Sequence, residues 1–429
     1  MNGGMLMKDP AYKKYLALLL CLIMTLATLL SSCGAPEEEE AEIPAPPSNL
    51  LTGETAEEGY DESASDRRVA AFVVENTPDA RPQWGLDDEN YSPDIVLQGE
   101  VEGGITRTLW MYADYNKLPE IIGPTRSARP PYIKFANLFD SIFIHWGMSH
   151  SKGDYVGATT IFNRYHVDHI NQMTLDDKEG MYGRDQTRAV SAEHRGIIYG
   201  EKVPATIANE GFRTEPEKYS ELCFNFKSEP VSDTSATNVG VTYSERSFDE
   251  TYWTYNEEDG MYHTSSFEND FARKNLLVLY DDTEYITKYD YQGGGGGAVT
   301  YCDYKLAGGK AQLFSEGTVK DIEWKVEDGK LLLIDPEVKI ETVEDLEAME
   351  ANNKAIWKAH YSEDVEEPAV DEEGNELPYN RTVLVVPELE EDQEQEDILS
   401  DIYAIQQLNV GKTWIGWVSR NNGCKVSVS

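Results

Sequence analysis

The chain has 429 residues, and 78 Asp and Glu against 37 Lys and Arg give it a formal net charge of −41 at pH 7. This acidity excludes nucleic acid as a partner, because phosphate backbones are bound by clustered Lys and Arg, and it disfavours electrostatic docking onto anionic lipid. A hydrophobic content of 40% suffices for a core, and five cysteines are too few for a disulfide scaffold. We therefore expect one large or two ordinary folded domains with appendages.

The first 32 residues predict a signal peptide. Lysines precede an apolar run over residues 15–30, which is short for a bilayer span, and small residues stand before Cys33. The arrangement is typical of a bacterial lipoprotein signal, in which Cys33 is acylated, for example with palmitate, and becomes the first residue of the mature chain. The alternative is an uncleaved anchor helix.

An acidic segment follows the cysteine. Residues 34–66 contain eleven acidic residues and no Lys or Arg, in a background rich in Pro, Ser, Ala and Gly. Such a segment cannot bury enough apolar surface to offset its chain entropy. We predict a disordered tether over residues 33–66, anchored by the acyl group of Cys33 at the extracytoplasmic face of the cell membrane.

Residues 67–212 alternate between strand and helix patterns. The pair Pro130-Pro131 can open a helix, because proline is well suited to the first helical turn. Strands alternating with short helices predict an α/β N-terminal domain. The expected strands cover residues 69–74, 105–112, 118–122 and 141–147, and the expected helices cover residues 130–139 and 154–165.

Residues 213–429 are richer in strand patterns, and Asp259-Gly260 is a good hairpin turn. We predict a mostly antiparallel β-rich (α+β) C-terminal domain, with an acidic helical insertion at about residues 338–407. Within that insertion, one helix begins after Thr342, and a second covers residues 398–408. The expected strands are 240–243, 251–255, 261–264, 276–280, 322–325, 331–334, 382–386 and, as the last one, 413–418.

Six motifs stand out in the chain from residue 67 onwards. In chain order they are Pro78–Gln83, Glu102–Arg107, Gly123–Pro130, Trp253–Tyr255, Asn275–Val278 and Leu408–Ile415. Together they resemble the YerB-like family of bacterial lipoproteins, which is defined by a domain of unknown function. The resemblance covers most of residues 67–429. It implies an extracytoplasmic lipoprotein with an α/β N-terminal and a β-rich C-terminal domain, and it implies no established activity.

Arginines within these motifs suggest a ligand site. Arg126 and Arg129 lie on a loop directly before the helix expected at residue 130, where free N–H groups and guanidinium groups together bind anions. We therefore predict an arginine-lined cleft that binds an anionic group. The predicted ligand-binding residues are Arg107, Arg126, Arg129, Arg184, Arg188, Glu102 and His145.

The alternative for these arginines is structural. An arginine near apolar strands is expensive to hold unless it is paired. In this interpretation the arginines pair with internal acids and fix the fold without binding a ligand. The candidate partners are Glu75, Asp94, Glu100 and Glu102.

Other reactive residue types give weaker indications. His145, His150 and the pair His166 and His169 could contribute to a zinc site, yet no HExxH motif or cysteine pair supports one, and we predict no metal and no cofactor. Asp140, His145 and Ser149 or Ser151 could form a nucleophilic site, but the chain has no GxSxG motif. Cys223, Cys302 and Cys424 allow at most one disulfide.

Three classes of function remain from the sequence. The first is a non-catalytic membrane-anchored lipoprotein that binds an anionic small molecule, a cell-wall component or an envelope partner. The second is an enzyme acting on an envelope polymer, with Glu102, Asp140, His145 or His194 as acid–base groups. The third is an envelope assembly factor. We favour binding without catalysis, because the sequence shows no complete catalytic constellation.

Overall fold

The computed structural model describes residues 48–216, 224–227, 230–290, 297–361, 382–387, 389 and 393–429. The predicted signal peptide, Cys33, Cys223 and most of the acidic stretch 362–397 lie outside the described residues. The fold is mixed α/β and consists mainly of strands. This confirms the predicted class in its coarse form.

The helices of the described residues are short, with one exception. Helix α1 covers Pro130–Asn137, α2 covers Ala158–Tyr165 and α3 covers Val203–Glu210. Helix α4, the long one, covers Val343–Tyr361, and α5 covers Gln395–Ile398.

A large sheet of twelve strands runs through the fold in the order β20-β21-β19-β18-β17-β14-β23-β2-β3-β1-β5-β6. Its strands are β1 Ala70–Glu75, β2 Ile95–Glu100, β3 Thr106–Tyr112, β5 Ile142–His145, β6 His169–Asn171, β14 Asn275–Asp281, β17 Gly309–Ser315, β18 Thr318–Glu327, β19 Lys330–Asp335, β20 Leu384–Val385, β21 Tyr403–Ile405 and β23 Thr413–Ser419.

A second sheet has five strands in the order β13-β12-β11-β10-β24. Its strands are β10 Asn238–Thr242, β11 Glu250–Asn256, β12 Met261–Thr264, β13 Phe271–Arg273 and β24 Lys425–Val428. Smaller sheets join β4 Ile121–Ile122, β7 Tyr182–Arg184 and β8 Gly196–Tyr199; β15 Thr283–Tyr289 and β16 Ala298–Tyr304; and β9 Phe226–Lys227 and β22 Leu408–Asn409.

Strand β23 holds the middle of the large sheet. It pairs in parallel with β2 on one side, where Leu97 faces Ile415, and with β14 on the other, where Leu277 faces the same residue. Strands from before and after residue 212 therefore share one sheet. The predicted division into segments 67–212 and 213–429 stays a prediction.

Apolar side chains cover both faces of the large sheet. Successive residues of β1 alternate between two buried clusters: Val73 belongs to one and Phe72 to the other. Helices α1 and α2 pack on the first face, and the five-stranded sheet covers the second, where the rings of Trp253 and Trp414 are 5.3 Å apart. A strand buried on both faces can be apolar over most of its length, which explains the continuous run that identified β1 in the sequence.

Most of the predicted elements are confirmed, with small shifts at their ends. The hairpin across Asp259-Gly260 joins β11 to β12, and α1 begins at Pro130 as expected. Helix α4 begins after Thr342, whose hydroxyl accepts the backbone N–H of Asp345 at 3.1 Å. Part of the segment expected to be a tether is also described, and it packs on the fold, since Leu51 is buried in the core.

Two predictions about elements are wrong, and one central strand was missed. The helix expected over residues 398–408 is one turn followed by strand β21, whose Ile405 pairs with Ile334 of β19. Strand β24 follows β23, which is therefore not the last strand. Strand β2 was missed because it carries Gln98 and Glu100, which are polar but fully buried.

Candidate anion-binding site

The parallel strands β1, β5 and β6 end side by side at Glu75, His145 and Asn171. In open sheets with parallel strands, ligands bind in the crevice outside the carboxyl ends of those strands. A cavity of about 450 Å³ lies here, and Trp146, Asn171 and Arg126 are among the residues that line it. The topology of the fold and its cavity thus point to the same place.

Arg126, which lines this cavity, lies on a loop whose backbone is held by hydrogen bonds. The backbone N–H of Arg126 donates to the carbonyl of Val73 in β1 at 3.0 Å, and that of Thr125 donates to the carbonyl of Gly196 at 2.7 Å. Gly123 passes so close to this same segment that a Cβ atom on it would lie 2.7 Å from the Gly196 carbonyl oxygen. The loop is therefore fixed on two sides, and the position of Arg126 follows from its backbone.

Two carboxylates of different character face Arg126. Its Nε lies 3.3 Å from Oε1 of Glu75, which is buried and whose Oε2 lies 2.9 Å from Nδ1 of His194. Its two terminal nitrogens lie 3.4 and 3.5 Å from one oxygen of Glu193, whose side chain is 60% exposed. One partner is fixed in the fold, and the other is at the surface.

A second guanidinium group borders the same cavity. Arg184, at the end of β7, lies over the ring of Trp146 at 4.4 Å from its centroid, and its Nη1 donates to the carbonyl of Ala192. Stacking on an aromatic face holds a guanidinium group in place while leaving some of its donors for a ligand. Arg126 and Arg184 thus bring two guanidinium groups to this end of the sheet.

Two neutral polar side chains of the lining, Thr125 and Asn171, each have a polar group that makes no hydrogen bond within the described residues. The hydroxyl of Thr125 is buried and makes no hydrogen bond within the described part of the chain. The amide oxygen of Asn171 accepts the backbone N–H groups of Gly147 at 2.9 Å and Met173 at 3.2 Å. Those two bonds orient the amide, so its NH₂ group is the part of Asn171 left for a ligand.

Arg107 and Arg129 do not line this cavity but form a buried ion triad with Glu102. Arg107 donates to Oε1 of Glu102 at 2.7 Å, and Arg129 donates to both carboxylate oxygens at 2.5 and 2.8 Å. Burial alone would raise the pKa of Glu102, but the two guanidinium charges outweigh it and lower the pKa to about 2. For these two arginines the structural alternative is the one that the geometry favours.

The helix start beside Arg129 also differs from the expectation. Helix α1 opens with Pro130 and Pro131, and neither residue has a backbone N–H. The N–H of Ile133 donates to the carbonyl of Arg129 at 3.3 Å. The free donors expected at this helix start are therefore largely missing.

Arg188 is apart from the cavity as well. It lies over the ring of Trp84, 3.5 Å from its centroid, and its Nη1 and Nη2 donate to the carbonyls of Ala80, at 2.9 Å, and Pro82. It thereby ties two surface loops together. The five arginines predicted to form one cleft are divided among a cavity, a buried triad and a loop contact.

His145 lies behind the cavity, not in it. Its Nδ1 is 2.6 Å from the carbonyl of Gly147, and its Nε2 is 3.0 Å from Nδ1 of His169. Burial lowers the pKa of His145 to about 3, so the ring is neutral and donates from Nδ1 to the carbonyl of Gly147. His145 supports the loop whose residues Gly147 and Met148 line the cavity.

The geometry does not favour the nucleophilic site or the zinc site that the sequence suggested. The hydroxyl of Ser149 accepts the backbone N–H of Ala158 at 3.1 Å and the hydroxyl of Tyr155 at 2.8 Å, so it caps α2. Within the described residues, no three His, Cys, Asp or Glu side chains are placed to hold a metal ion. Cys302 and Cys424 are free thiols.

Sequence reasoning missed several residues of this site: Thr125, Trp146, Asn171 and Glu193. A usable signal existed for Trp146, which follows an apolar run; such positions border a ligand crevice when the strands are parallel. Finding Asn171 required the knowledge that β6 is a parallel neighbour of β5.

Comparison with known proteins first defines a class. Residues 51–213, which contain the whole lining of the cavity, match the family described as "Protein of unknown function (DUF3048) N-terminal domain". The chain thus carries the N-terminal domain of this family, whose description assigns no activity.

The comparison then points to a particular relative. The chain is 26% identical to the "Putative lipoprotein YerB" of Bacillus subtilis (strain 168) over 323 residues, which are 73% of this chain and 87% of the relative. The crystal structure of the YerB protein from Bacillus subtilis matches with a TM-score of 0.58 at 20% identity, over 89% of this chain and 99% of that one. The expected resemblance to the YerB-like family is confirmed.

One finding concerns membranes directly. Across the helices of the described residues, none combines the length and the apolar character that a bilayer span requires.

Proposed function

We propose that this chain is a lipid-anchored binding protein of the bacterial cell envelope, and that the cavity at Arg126 and Arg184 takes an anionic group of a small molecule or cell-wall component. The observation that carries the proposal is this cavity, which lies at the carboxyl ends of three parallel strands and holds two guanidinium groups. In a chain of net charge −41, a cavity lined in this way is selective for anions by its local field and not by the charge of the whole molecule.

The anchor rests on the N-terminal sequence and on the relative. Residues 1–32 have the pattern of a lipoprotein signal, and the relative is named as a lipoprotein. Acylation of Cys33 would hold the chain at the extracytoplasmic face of the membrane, despite the repulsion between its charge and anionic lipid. A Cys33→Ala chain is then expected in the soluble fraction after cell lysis, whereas the unchanged chain stays with the membranes.

If the cavity binds an anion, removing Arg126 should abolish the rise in melting temperature that the ligand causes. Full-length protein in detergent micelles is screened by thermal shift against inorganic phosphate, N-acetylated amino acids and wall fragments, since a ligand that binds only the folded state raises the melting temperature. We expect an Arg126→Ala variant to lose the shift for any anionic hit, because the guanidinium charge would be missing.

Two further variants complete this test. Arg184→Ala leaves the pairing of Arg126 with Glu75 intact, so it is expected to fold and to bind less well. Arg420→Ala removes an exposed pair with Asp282 at 2.7 Å and is expected to bind like the unchanged protein. Equal loss in all three variants would contradict a site at this cavity.

A further inference from the structure

We infer that the ligand of this cavity is a singly charged carboxylate joined to an apolar group, and that it takes the place of Glu193 beside Arg126. The inference rests on the proposed binding function and deepens it. It starts from the difference between the two acidic partners of Arg126.

Glu75 is built into the site. Its side chain is almost fully buried at the end of β1. Its Oε1 accepts the hydroxyl of Thr77 at 3.1 Å and lies 3.3 Å from Nε of Arg126, and its Oε2 lies 2.9 Å from Nδ1 of His194. Removing it would leave the partly buried Arg126 with only the exposed Glu193 as a charge partner. Glu75 therefore orients Arg126 and stays in place.

Glu193 is held loosely by comparison. It lies on a 3₁₀ turn over Ala192–His194, and a single oxygen approaches the terminal nitrogens of Arg126 at 3.4 and 3.5 Å. Charge-assisted bonds between guanidinium and carboxylate groups are usually about 2.7–2.9 Å long and often use both oxygens. The other oxygen of Glu193 has only long contacts too, at 3.4 Å from the hydroxyl of Ser191 and 3.8 Å from Nε2 of His194. An exposed carboxylate with contacts this long can turn into solvent at little cost, so Glu193 occupies a place that a ligand carboxylate can take.

The charge balance favours a single negative charge. Among the guanidinium and carboxylate groups at the site, Arg126 and Arg184 contribute two positive charges, and Glu75 contributes one negative charge. Once Glu193 turns away, one positive charge remains uncompensated. A carboxylate restores neutrality, whereas a phosphate dianion would leave an excess negative charge close to two acidic side chains.

The remaining lining describes the rest of the ligand. Trp146, Met148 and Met173 give the cavity an apolar side, and the side chain of Met173 is 67% exposed at its edge. Methionine adapts to varied apolar groups because its side chain is unbranched and polarisable. The NH₂ group of Asn171 can meet a polar atom next to the carboxylate.

The test compares three probes on full-length protein in detergent micelles at pH 8, by isothermal titration calorimetry. N-acetylmethionine has a carboxylate and an apolar side chain, its amide lacks the charge, and inorganic phosphate carries two charges. We expect N-acetylmethionine to bind more tightly than phosphate and the amide not to bind. In a Glu193→Gln variant, N-acetylmethionine should bind about two- to fivefold more tightly, the range for losing an exposed competing ion pair.

A matched control removes the same charge elsewhere. Glu201 is 75% exposed and pairs with Lys202 at 3.1 Å, so Glu201→Gln should leave the affinity unchanged. A Glu193→Ala variant repeats the measurement without an amide that could still contact Arg126. Circular dichroism checks that each variant is folded.

The outcomes separate this inference from the proposed function. If an anion binds and Arg126→Ala abolishes that binding, yet Glu193→Gln binds no more tightly or phosphate binds best, the inference is overturned and the binding site stands. If the unchanged protein binds neither N-acetylmethionine nor phosphate nor any other anion of the screen, both are overturned. Tighter binding in Glu193→Gln and Glu193→Ala but not in Glu201→Gln supports the inference.

Discussion

At the scale of single residues, the arginines of this chain have two different uses. Arg107 and Arg129 are almost fully enclosed and share Glu102, whereas Arg126 is partly exposed and keeps a surface partner in Glu193. A buried charge is tolerated only when it is paired, so an arginine next to a buried acid need not bind a ligand. The useful distinction is whether a cavity lies beside the guanidinium group.

The triad predicts a large loss of stability on removing Glu102. A Glu102→Gln variant would leave two buried guanidinium groups without their counter-charge, and we expect a loss of about 3–5 kcal/mol in the free energy of unfolding. Urea denaturation measures it. Glu284→Gln, which removes an exposed partner of Lys305 at 2.6 Å, should change the stability by less than about 1 kcal/mol. A loss in Glu102→Gln no larger than in this control would show that the triad is not important for folding.

The same carboxylate has a defined pH dependence. The pKa of Glu102 is lowered in the folded state from 4.5 to about 2, so its contribution is present above pH 4.5 and is lost as the pH falls towards 2. The difference in stability between the unchanged protein and Glu102→Gln should accordingly shrink over this range of pH.

At the scale of elements, the sequence was informative where burial is simple. The apolar run of β1 and the prolines that open α1 predicted those elements, because an apolar strand and an N-terminal proline each have one obvious structural use. The sequence did not predict β2. The side chain of Gln98 in that strand forms hydrogen bonds with Thr106 of its own sheet and with Thr251 of the second sheet, each at 3.2 Å. Thr251 lies far from Gln98 in the chain, so no local pattern shows that contact.

The candidate site was predictable to a similar extent. The loop from Gly123 to Pro130 stood out in the sequence, and Arg126 of that loop does line a cavity. Its neighbours Asn171 and Glu193 arrive from other parts of the chain through the pairing of β6 with β5 and through a short turn after β7. Such contacts between distant segments cannot be predicted from the composition or the spacing of residues.

The docking of α1 gives a prediction at this scale. The hydroxyl of Tyr132, in the first turn of α1, lies 2.7 Å from the carbonyl of Gly99 in β2 and 2.9 Å from that of Arg107 in β3. Tyr132→Phe leaves these buried carbonyls without that donor, so we expect a loss of about 1–3 kcal/mol in thermal or urea unfolding. Tyr165→Phe, at the exposed end of α2, should change stability by less than about 0.5 kcal/mol. Equal effects would contradict a role for the Tyr132 hydroxyl.

At the scale of the whole molecule, the central strand comes from far along the chain. β23 lies between β2 and β14, and its Trp417 packs on Tyr304 with ring centroids 4.3 Å apart. Without β23, the apolar strand β2 would have an open edge. The two halves of the large sheet meet through this one strand.

A fragment tests whether the segment up to residue 212 folds alone. We expect a chain that ends at residue 212 to be unfolded or self-associated, since β2 would have lost its parallel neighbour and α1 its contact with Trp417 at 5.5 Å between the Phe135 and Trp417 rings. Size-exclusion chromatography and circular dichroism distinguish the outcomes. A monomeric fragment with cooperative unfolding would instead support the predicted division into two domains.

The position of β23 also bears on biosynthesis. Of the strands in the large sheet, β23 is the last that the ribosome adds, yet its neighbours β2 and β14 were made hundreds and more than a hundred residues earlier. A growing polypeptide therefore emerges with the gap in its sheet still open, and assembly can finish only after nearly all of the residues described here have been delivered. Until then, those open edges are the surfaces that a chaperone would have to shield.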